Sequence, residues 1–199
     1  MNRVLLKLFL IFFVTVSSYM NSQDQLPFKS IPEYPENYKS GNTVVRMIQG
    51  LGYRYYWATE GLRSEDLKYR PSSDAMSAYE TLEHIYGLAE TINKATSGEV
   101  NYRPYKNIPE DFSSIRAGTL DNLKEAANRF FDKSSDEISS MEIIFESNGK
   151  KSTFPLWNLI NGQISDAIYH TGQIVSFRRT TSNPIKKGVN VFIGKTKEL

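Results

Sequence analysis

Apolar side chains recur at steps of three and four residues in four stretches of the chain, a spacing that places them on one face of an α-helix. The stretches cover residues 42–62, 77–96, 119–133 and 155–180. Each stretch therefore predicts an amphipathic helix with one apolar stripe. Four such helices can bury their stripes against one another, so the pattern predicts an all-α protein, a four-helix bundle over residues 42–184.

Local signals predict where these elements begin. Ser77 and Glu80 have the spacing of a capping box, in which a hydroxyl and a carboxylate each accept a backbone N–H at the start of a helix. The pair Asn148-Gly149 lies between two short runs, residues 141–146 and 150–154. Both residues tolerate positive φ, which favours a short β-hairpin before the last helix. Pro155 suits the first turn of that helix.

The beginning of the chain has the layout of a secretory signal. Arg3 and Lys7 give a basic start, residues 8–16 are apolar, and residues 17–22 are small and polar. The apolar run is far shorter than the ~20 residues of a membrane span. We therefore predict that residues 1–22 form a signal peptide, and that the mature protein is exported, periplasmic or secreted, with no stable membrane span. An uncleaved membrane anchor is the alternative.

Three further segments lack helical periodicity. Residues 23–41 contain three prolines and are predicted to form an extended lead-in. Residues 99–113 contain two prolines and are predicted to form a loop. Residues 185–199 are predicted to be a polar C-terminal tail with a few apolar anchors.

Composition and charge remove several classes of function. The absence of cysteine excludes disulfides, thiolate nucleophiles and sulfur-ligated zinc. The chain has 24 Lys+Arg against 22 Asp+Glu. Removing residues 1–22 takes away Arg3 and Lys7 and no acid, so 22 of each remain. A neutral chain without a block of Lys and Arg lacks the electrostatic footprint of a nucleic-acid binder.

The candidate site consists of His84, Asp166 and His170. Asp166 and His170 are four residues apart on the last predicted helix, so their Cβ atoms lie about 5–6 Å apart on one face. His84, the only other histidine, borders the inward stripe of the second helix. Two imidazoles and one carboxylate suit a divalent metal (zinc, nickel, iron or manganese) and leave positions open for water or substrate. The same three side chains could instead hydrogen-bond to one another without a metal.

Other polar residues of the last helix have two interpretations each. Gln163 and Gln173 are close to the site in helical phase or in sequence, so they are predicted to support its ligands, and each can equally be a polar packing group. Arg178 and Arg179 lie about two turns beyond His170. They could contact an anionic substrate, or they could belong to a solvated helix C-terminus, which favours cations.

Two segments resemble the DinB-like superfamily of four-helix bundles: SAYETLEHIYGLAETI (residues 77–92) and NGQISDAIYHTGQIVSFRRTTSNP (residues 161–184). The resemblance implies a divalent metal, often zinc or nickel, held by one histidine on the second helix and two on the last. His84 and His170 match two of these positions, and Asp166 stands where the other histidine is expected. The resemblance also implies frequent dimers, and thiol-dependent transferase or isomerase activity in several members.

Three functions are therefore expected to compete. The first is an exported metal-dependent transferase that acts on a small thiol or a related small molecule. The second is a non-catalytic bundle that binds a ligand and carries a degenerate metal site. The third is a structural homodimer that uses exposed aromatic side chains as its interface.

Overall fold

The computed structural model describes residues 26–198, so the predicted signal peptide lies outside the described residues. The chain is mostly helical and carries a small β-sheet. The helices are α1 (Ser40–Thr59), α2 (Ser64–Lys68), α3 (Ala78–Ala95), α4 (Phe112–Phe130), α5 (Ser135–Ser139), α6 (Trp157–Leu159) and α7 (Ser165–Thr180). The strands are β1 (Val100–Arg103), β2 (Glu142–Ser147), β3 (Lys150–Pro155), β4 (Val189–Asn190) and β5 (Lys195–Thr196).

The four longest helices enclose the main core. Helices α1 and α3 each pack against both α4 and α7, so every one of the four contacts two others. Their predicted apolar stripes point inward, because burial removes this surface from water at about 25 cal/mol per Å². Fully buried members include Ile48, Leu51, Leu82, Ile85, Leu120, Leu123, Phe130 and Ile174.

The predicted start of α3 is confirmed, whereas the start of α4 is earlier than predicted. Ser77 Oγ accepts the backbone N–H of Glu80 at 3.2 Å, and the Glu80 carboxylate accepts that of Ser77 at 2.7 Å. Helix α4 begins at Phe112, where the Asp111 carboxylate accepts the backbone N–H of Ser114 at 2.9 Å. The first two turns of α4 contain only two large apolar side chains, Phe112 and Ile115, so their apolar period was too weak to reveal them.

The Asn148-Gly149 turn joins the predicted hairpin. Strands β2 and β3 are antiparallel, and the two turn residues have φ of 50° and 74°. The prediction of a loop over residues 99–113 is wrong for its first part, because β1 pairs with β2 in parallel. A parallel partner comes from a distant part of the chain, and no local turn signal announces it.

The last helix differs from the continuous helix predicted from Pro155 onward. Pro155 is the final residue of β3, and the helix starts at Trp157. A π-helical turn, Ile160–Ile164, separates α6 from α7. The buried face of α7 consists of Ala167, Thr171, Ile174 and Arg178. It shares Ala167 and Ile174 with the apolar stripe predicted for the last helix, whereas His170 and Phe177, also predicted to face inward, are only partly buried.

The C-terminal segment returns to the lead-in. Strands β4 and β5 form a second, two-stranded sheet. The backbone N–H of Ile31 donates to the carbonyl oxygen of Gly194 at 2.8 Å, and the hydroxyls of Tyr53 and Thr196 are 2.8 Å apart. Ile31, Tyr53 and Trp57 form a small separate core there. Within residues 26–198, no helix combines the length and the apolar character needed to cross a bilayer.

Candidate metal centre

Two helices bring the three candidate ligands together. His84 lies on α3, two turns after the Ser77 cap, while Asp166 and His170 are one turn apart on α7. Because α3 packs against α7, the histidine of one helix faces the acid and histidine of the other. The sequence spacing sets the Asp166–His170 pair, whereas the approach of His84 depends on the tertiary fold.

The carboxylate of Asp166 lies between the two imidazoles. Its Oδ2 is 3.2 Å from His84 Nε2, and its Oδ1 is 3.3 Å from His170 Nε2. The two imidazole rings meet edge to face, with centroids 4.6 Å apart. One potential ligand atom from each residue lies within 4.8 Å of the other two. The three side chains therefore form one compact cluster.

The cluster lies at the surface of the helical core. The side chains of His84 and Asp166 are 33% and 42% exposed, and that of His170 is 12% exposed. Solvent therefore reaches the cluster from one side, while α3 and α7 hold it from the other. A small molecule can approach this open side.

A neighbouring amide orients His170. The Nδ1 atom of His170 is 2.8 Å from the side-chain oxygen of Gln173. With the proton on Nδ1 donated to this oxygen, the lone pair of Nε2 points towards Asp166, which is the tautomer that a metal-binding imidazole requires. Gln173 is therefore within hydrogen-bond distance of a candidate ligand, and its supporting role stays a prediction.

Gln163 has a different environment. It belongs to the π-helical turn, and its side-chain oxygen is buried without a hydrogen-bond partner among the described residues. It makes no hydrogen bond to His84, Asp166 or His170 in the described part of the chain. Buried amide oxygens are nearly always paired, so this atom has unused capacity to accept a hydrogen bond.

The donor set fits a divalent metal. Ligand atoms at about 2.1 Å from a tetrahedral centre are separated by about 3.4 Å. Each imidazole is 3.2 Å or 3.3 Å from one of the two Asp166 oxygens, and one ligand atom from each residue lies within 4.8 Å of the other two, so small side-chain movements would bring all three to that spacing. Two nitrogens and a carboxylate oxygen suit several first-row divalent ions. Three protein ligands leave at least one coordination position free.

Sequence reasoning missed a cationic group close to this centre. The ring of Tyr105 lies flat against Gly87, where an added Cβ would be 2.3 Å from the ring, one helical turn after His84. Arg103 donates from Nη2 to the Tyr105 hydroxyl at 2.7 Å and to Thr91 Oγ1 at 3.0 Å. Gly87 was the one local signal of this contact, because a residue without a side chain lets the ring of Tyr105 approach α3.

Neither predicted role of Arg178 fits its position. It lies away from the candidate centre, where it would have contacted an anionic substrate, and it is not part of a solvated helix C-terminus. Its residue is only 3% exposed, and its guanidinium donates to the backbone carbonyls at the C-terminal end of α1. Burial lowers the pKa of Arg178, while the nearby Asp66 carboxylate opposes that effect. Arg179, by contrast, is exposed as the solvated-terminus interpretation predicts.

The comparisons with known proteins give one match. A model of the DinB family matches residues 38–181, which is more than half of the chain and includes all three candidate ligands. No curated protein and no solved structure matches the chain significantly.

Proposed function

Since the chain belongs to the DinB family, we propose that it binds one divalent metal through His84, Asp166 and His170, and that it is a transferase for a small thiol or a related small molecule. The observation that carries the proposal is the convergence of three ligand atoms from two helices within 4.8 Å. We include in this proposal that the four long helices are a four-helix bundle and that the mature protein is exported.

Each residue of the proposed site would have a separate role. His84 and His170 would supply neutral nitrogen donors, and Asp166 would supply one negative charge that partly balances the ion. A bound divalent ion lowers the pKa of a coordinated thiol or water and polarises a carbonyl. Gln173 holds His170 in the tautomer that presents Nε2 to the centre. The partial exposure of His84 and Asp166 gives a small molecule access.

A non-catalytic bundle is the alternative function. It is favoured by one observation: the Asp166 carboxylate is already within hydrogen-bond distance of His84, at 3.2 Å. A protonated imidazole and a carboxylate satisfy each other in this geometry without a metal. In this alternative, exposed aromatics such as Trp157 and Tyr169 would serve a ligand or a second copy of the chain.

Elemental analysis of the purified protein separates the two functions. We expect about one divalent ion per chain in the parent and loss of most of it in His84→Ala and His170→Ala, because each variant removes one of three ligands. Asp121→Asn is the matched control, since Asp121 is an exposed acid on α4 outside the site. If the histidine variants keep as much metal as the control, the proposed site is wrong and the non-catalytic function stands.

A further inference from the structure

We propose that Arg103 and Tyr105 form an anion-binding subsite beside the metal centre, with Thr91 holding Arg103 in place, and that the molecule accepted there carries a carboxylate. The proposal rests on the proposed function, because the other end of the same molecule would be bound by the metal. It adds to that function the chemical class of the substrate.

The position of the subsite follows from helix α3. His84, Gly87 and Thr91 are spaced by three and four residues, so they lie along one face of the helix. Tyr105 covers Gly87, and Arg103 reaches Thr91. From His84 to Thr91 is seven residues, or about 10 Å along the helix axis. A ligand of a few carbon atoms can span this distance.

Arg103 is a half-buried cation without an acidic partner. Within residues 26–198 its guanidinium makes no ion pair with a carboxylate. Burial lowers its pKa, while Tyr105 and the charge of Glu90 oppose that effect without pairing directly with the guanidinium. Other arginines do face a carboxylate, namely Arg63, Arg70, Arg116 and Arg129. An anionic ligand would supply the missing charge at Arg103.

The guanidinium is held in place before any ligand arrives. It stacks at 3.6 Å on the ring of Tyr105 and at 4.7 Å on the ring of Phe145. Its Nη2 donates to Thr91 and Tyr105, and its Nη1 donates to the carbonyl of Tyr102 at 3.2 Å. These contacts use three of its five N–H groups. The remaining two N–H groups, on Nε and Nη1, point to different sides of the guanidinium, so one carboxylate can accept a hydrogen bond from one of them.

The Tyr105 hydroxyl adds a further donor. Its oxygen accepts the hydrogen bond from Arg103 at 2.7 Å. Burial raises the pKa of Tyr105 above its usual value, whereas the hydroxyl of Thr91 and the charge of Arg103 lower it, and the more distant charges of Glu90 and Asp166 raise it. The phenol therefore stays protonated at neutral pH and can donate to a ligand oxygen.

A pair of matched thiols tests the subsite. In the cobalt-substituted full chain, a thiol bound to the metal gives a charge-transfer absorption band, which reports binding without any assay of activity. The probes are 6-mercaptohexanoate and 6-mercaptohexanol, which have the same length and differ in the carboxylate. We expect the parent to bind the carboxylate about tenfold more tightly, because hydrogen bonds to charged groups are the strong ones.

Two variants locate the source of that preference. Arg103→Gln should bring the affinity ratio close to one and leave the affinity for 6-mercaptohexanol unchanged. Lys106→Gln is the matched control, since Lys106 is an exposed cation three residues further along the chain, and it should keep the preference. If Arg103→Gln does not fold, the comparison of the two thiols in the parent still decides.

The outcomes separate the two proposals. A parent that binds both thiols equally well, or a Lys106→Gln variant that loses the preference as Arg103→Gln does, overturns the subsite and leaves the metal site standing. A parent that shows no thiol-dependent cobalt band overturns the proposed function, and with it the subsite that depends on it.

Discussion

Two polar clusters lie along helix α7, and they differ in how many of their donors and acceptors are hydrogen-bonded. The first is the candidate metal centre of His84, Asp166 and His170. The second, which we call the end cluster, consists of Arg63, Asp66, Arg178, Thr181 and Asn183, at the C-terminal end of the same helix. Each contains a carboxylate, but the Asp66 side chain is 1% exposed and that of Asp166 is 42% exposed.

Every charged group of the end cluster has several partners. Arg178 donates to the carbonyl oxygens of Ala58 at 3.1 Å, Glu60 at 2.7 Å and Asn183 at 2.7 Å. Asp66 accepts hydrogen bonds from Arg63, Thr181 and Asn183. Buried charges are tolerated only when they are satisfied in this way. The end cluster therefore joins α1, α2 and α7 and has no capacity left for a ligand.

The metal centre is the opposite case. Asp166 contacts only the two imidazoles among the described residues, and solvent reaches it. Its lone pairs are not all used, so it can still coordinate an ion. We infer from this comparison that the saturated cluster serves stability, and we propose that the cluster with unused ligand capacity serves binding. The following predictions test this division, from the largest effect to the smallest.

Arg178→Ala should give the largest loss of stability. It leaves the carbonyl groups at the end of α1 buried without donors, so we expect the free energy of unfolding to fall by about 3 kcal/mol or more. Urea denaturation monitored by circular dichroism measures this change. Arg179→Ala, at the exposed neighbouring position, is the control and should change little. Equal losses in the two variants would show that the end cluster does not stabilise the fold.

Asp66 should make the stability depend on pH. Burial alone would raise the pKa of Asp66, but the donors of Arg63, Thr181 and Asn183 hold it well below its usual range. A carboxyl with a depressed folded-state pKa stabilises the protein above its unfolded pKa of about 4 and loses that contribution as the pH falls further. We expect a loss of about 1 kcal/mol between neutral pH and about pH 3.

Urea denaturation between neutral pH and about pH 3 measures this loss in the parent and in Asp66→Asn. The variant should be less stable at neutral pH and should lose less stability on acidification. A parent and variant with parallel pH profiles would contradict the assigned role of Asp66.

Ser77→Ala should have a moderate effect on stability and little effect on the site. It removes the side-chain acceptor at the start of α3, which typically contributes about 1 kcal/mol. Ser72→Ala, in the preceding loop, is the control. Metal content should stay at the parent level, because His84 lies two turns inside the helix. A loss of metal in Ser77→Ala would show that the cap also positions the ligand.

Asp166→Asn should have the smallest effect on the metal-free protein. Exposed pairs contribute little, so we expect the free energy of unfolding to change by about 0.5 kcal/mol or less when a chelator is present. The same substitution at Asp66 is the direct comparison, because it changes one carboxylate to an amide in the saturated cluster. If Asp166→Asn is as destabilising as Asp66→Asn, the division between stability and binding is wrong.

Local signals accounted for much of the helical framework. The Ser77–Glu80 capping box and the Asn148-Gly149 turn were readable because each is a short-range pattern with its own backbone geometry. The pairing of β1 with β2 was not readable, because it joins segments more than forty residues apart. The π-helical turn was equally hidden, since its residues, INGQI, also fit a regular helix.

Part of the candidate site was also predictable from short-range spacing in the sequence. Asp166 and His170 share one helix, so their spacing alone predicts their proximity. Charge burial depends on the tertiary structure, and sequence reasoning therefore expected Arg178 to be solvated or to meet a substrate. No sequence pattern predicted the role of Arg103, because this residue of β1 has its neighbours Thr91 and Phe145 on helix α3 and strand β2.

The π-helical turn between α6 and α7 has a consequence for how the chain tolerates length changes. A π-helical turn holds one residue more than the α-helical turn it replaces, so deleting Gly162 should let the segments on either side of it close into one regular helix. Asp166 and His170 lie after the deleted position, so they would keep their one-turn spacing.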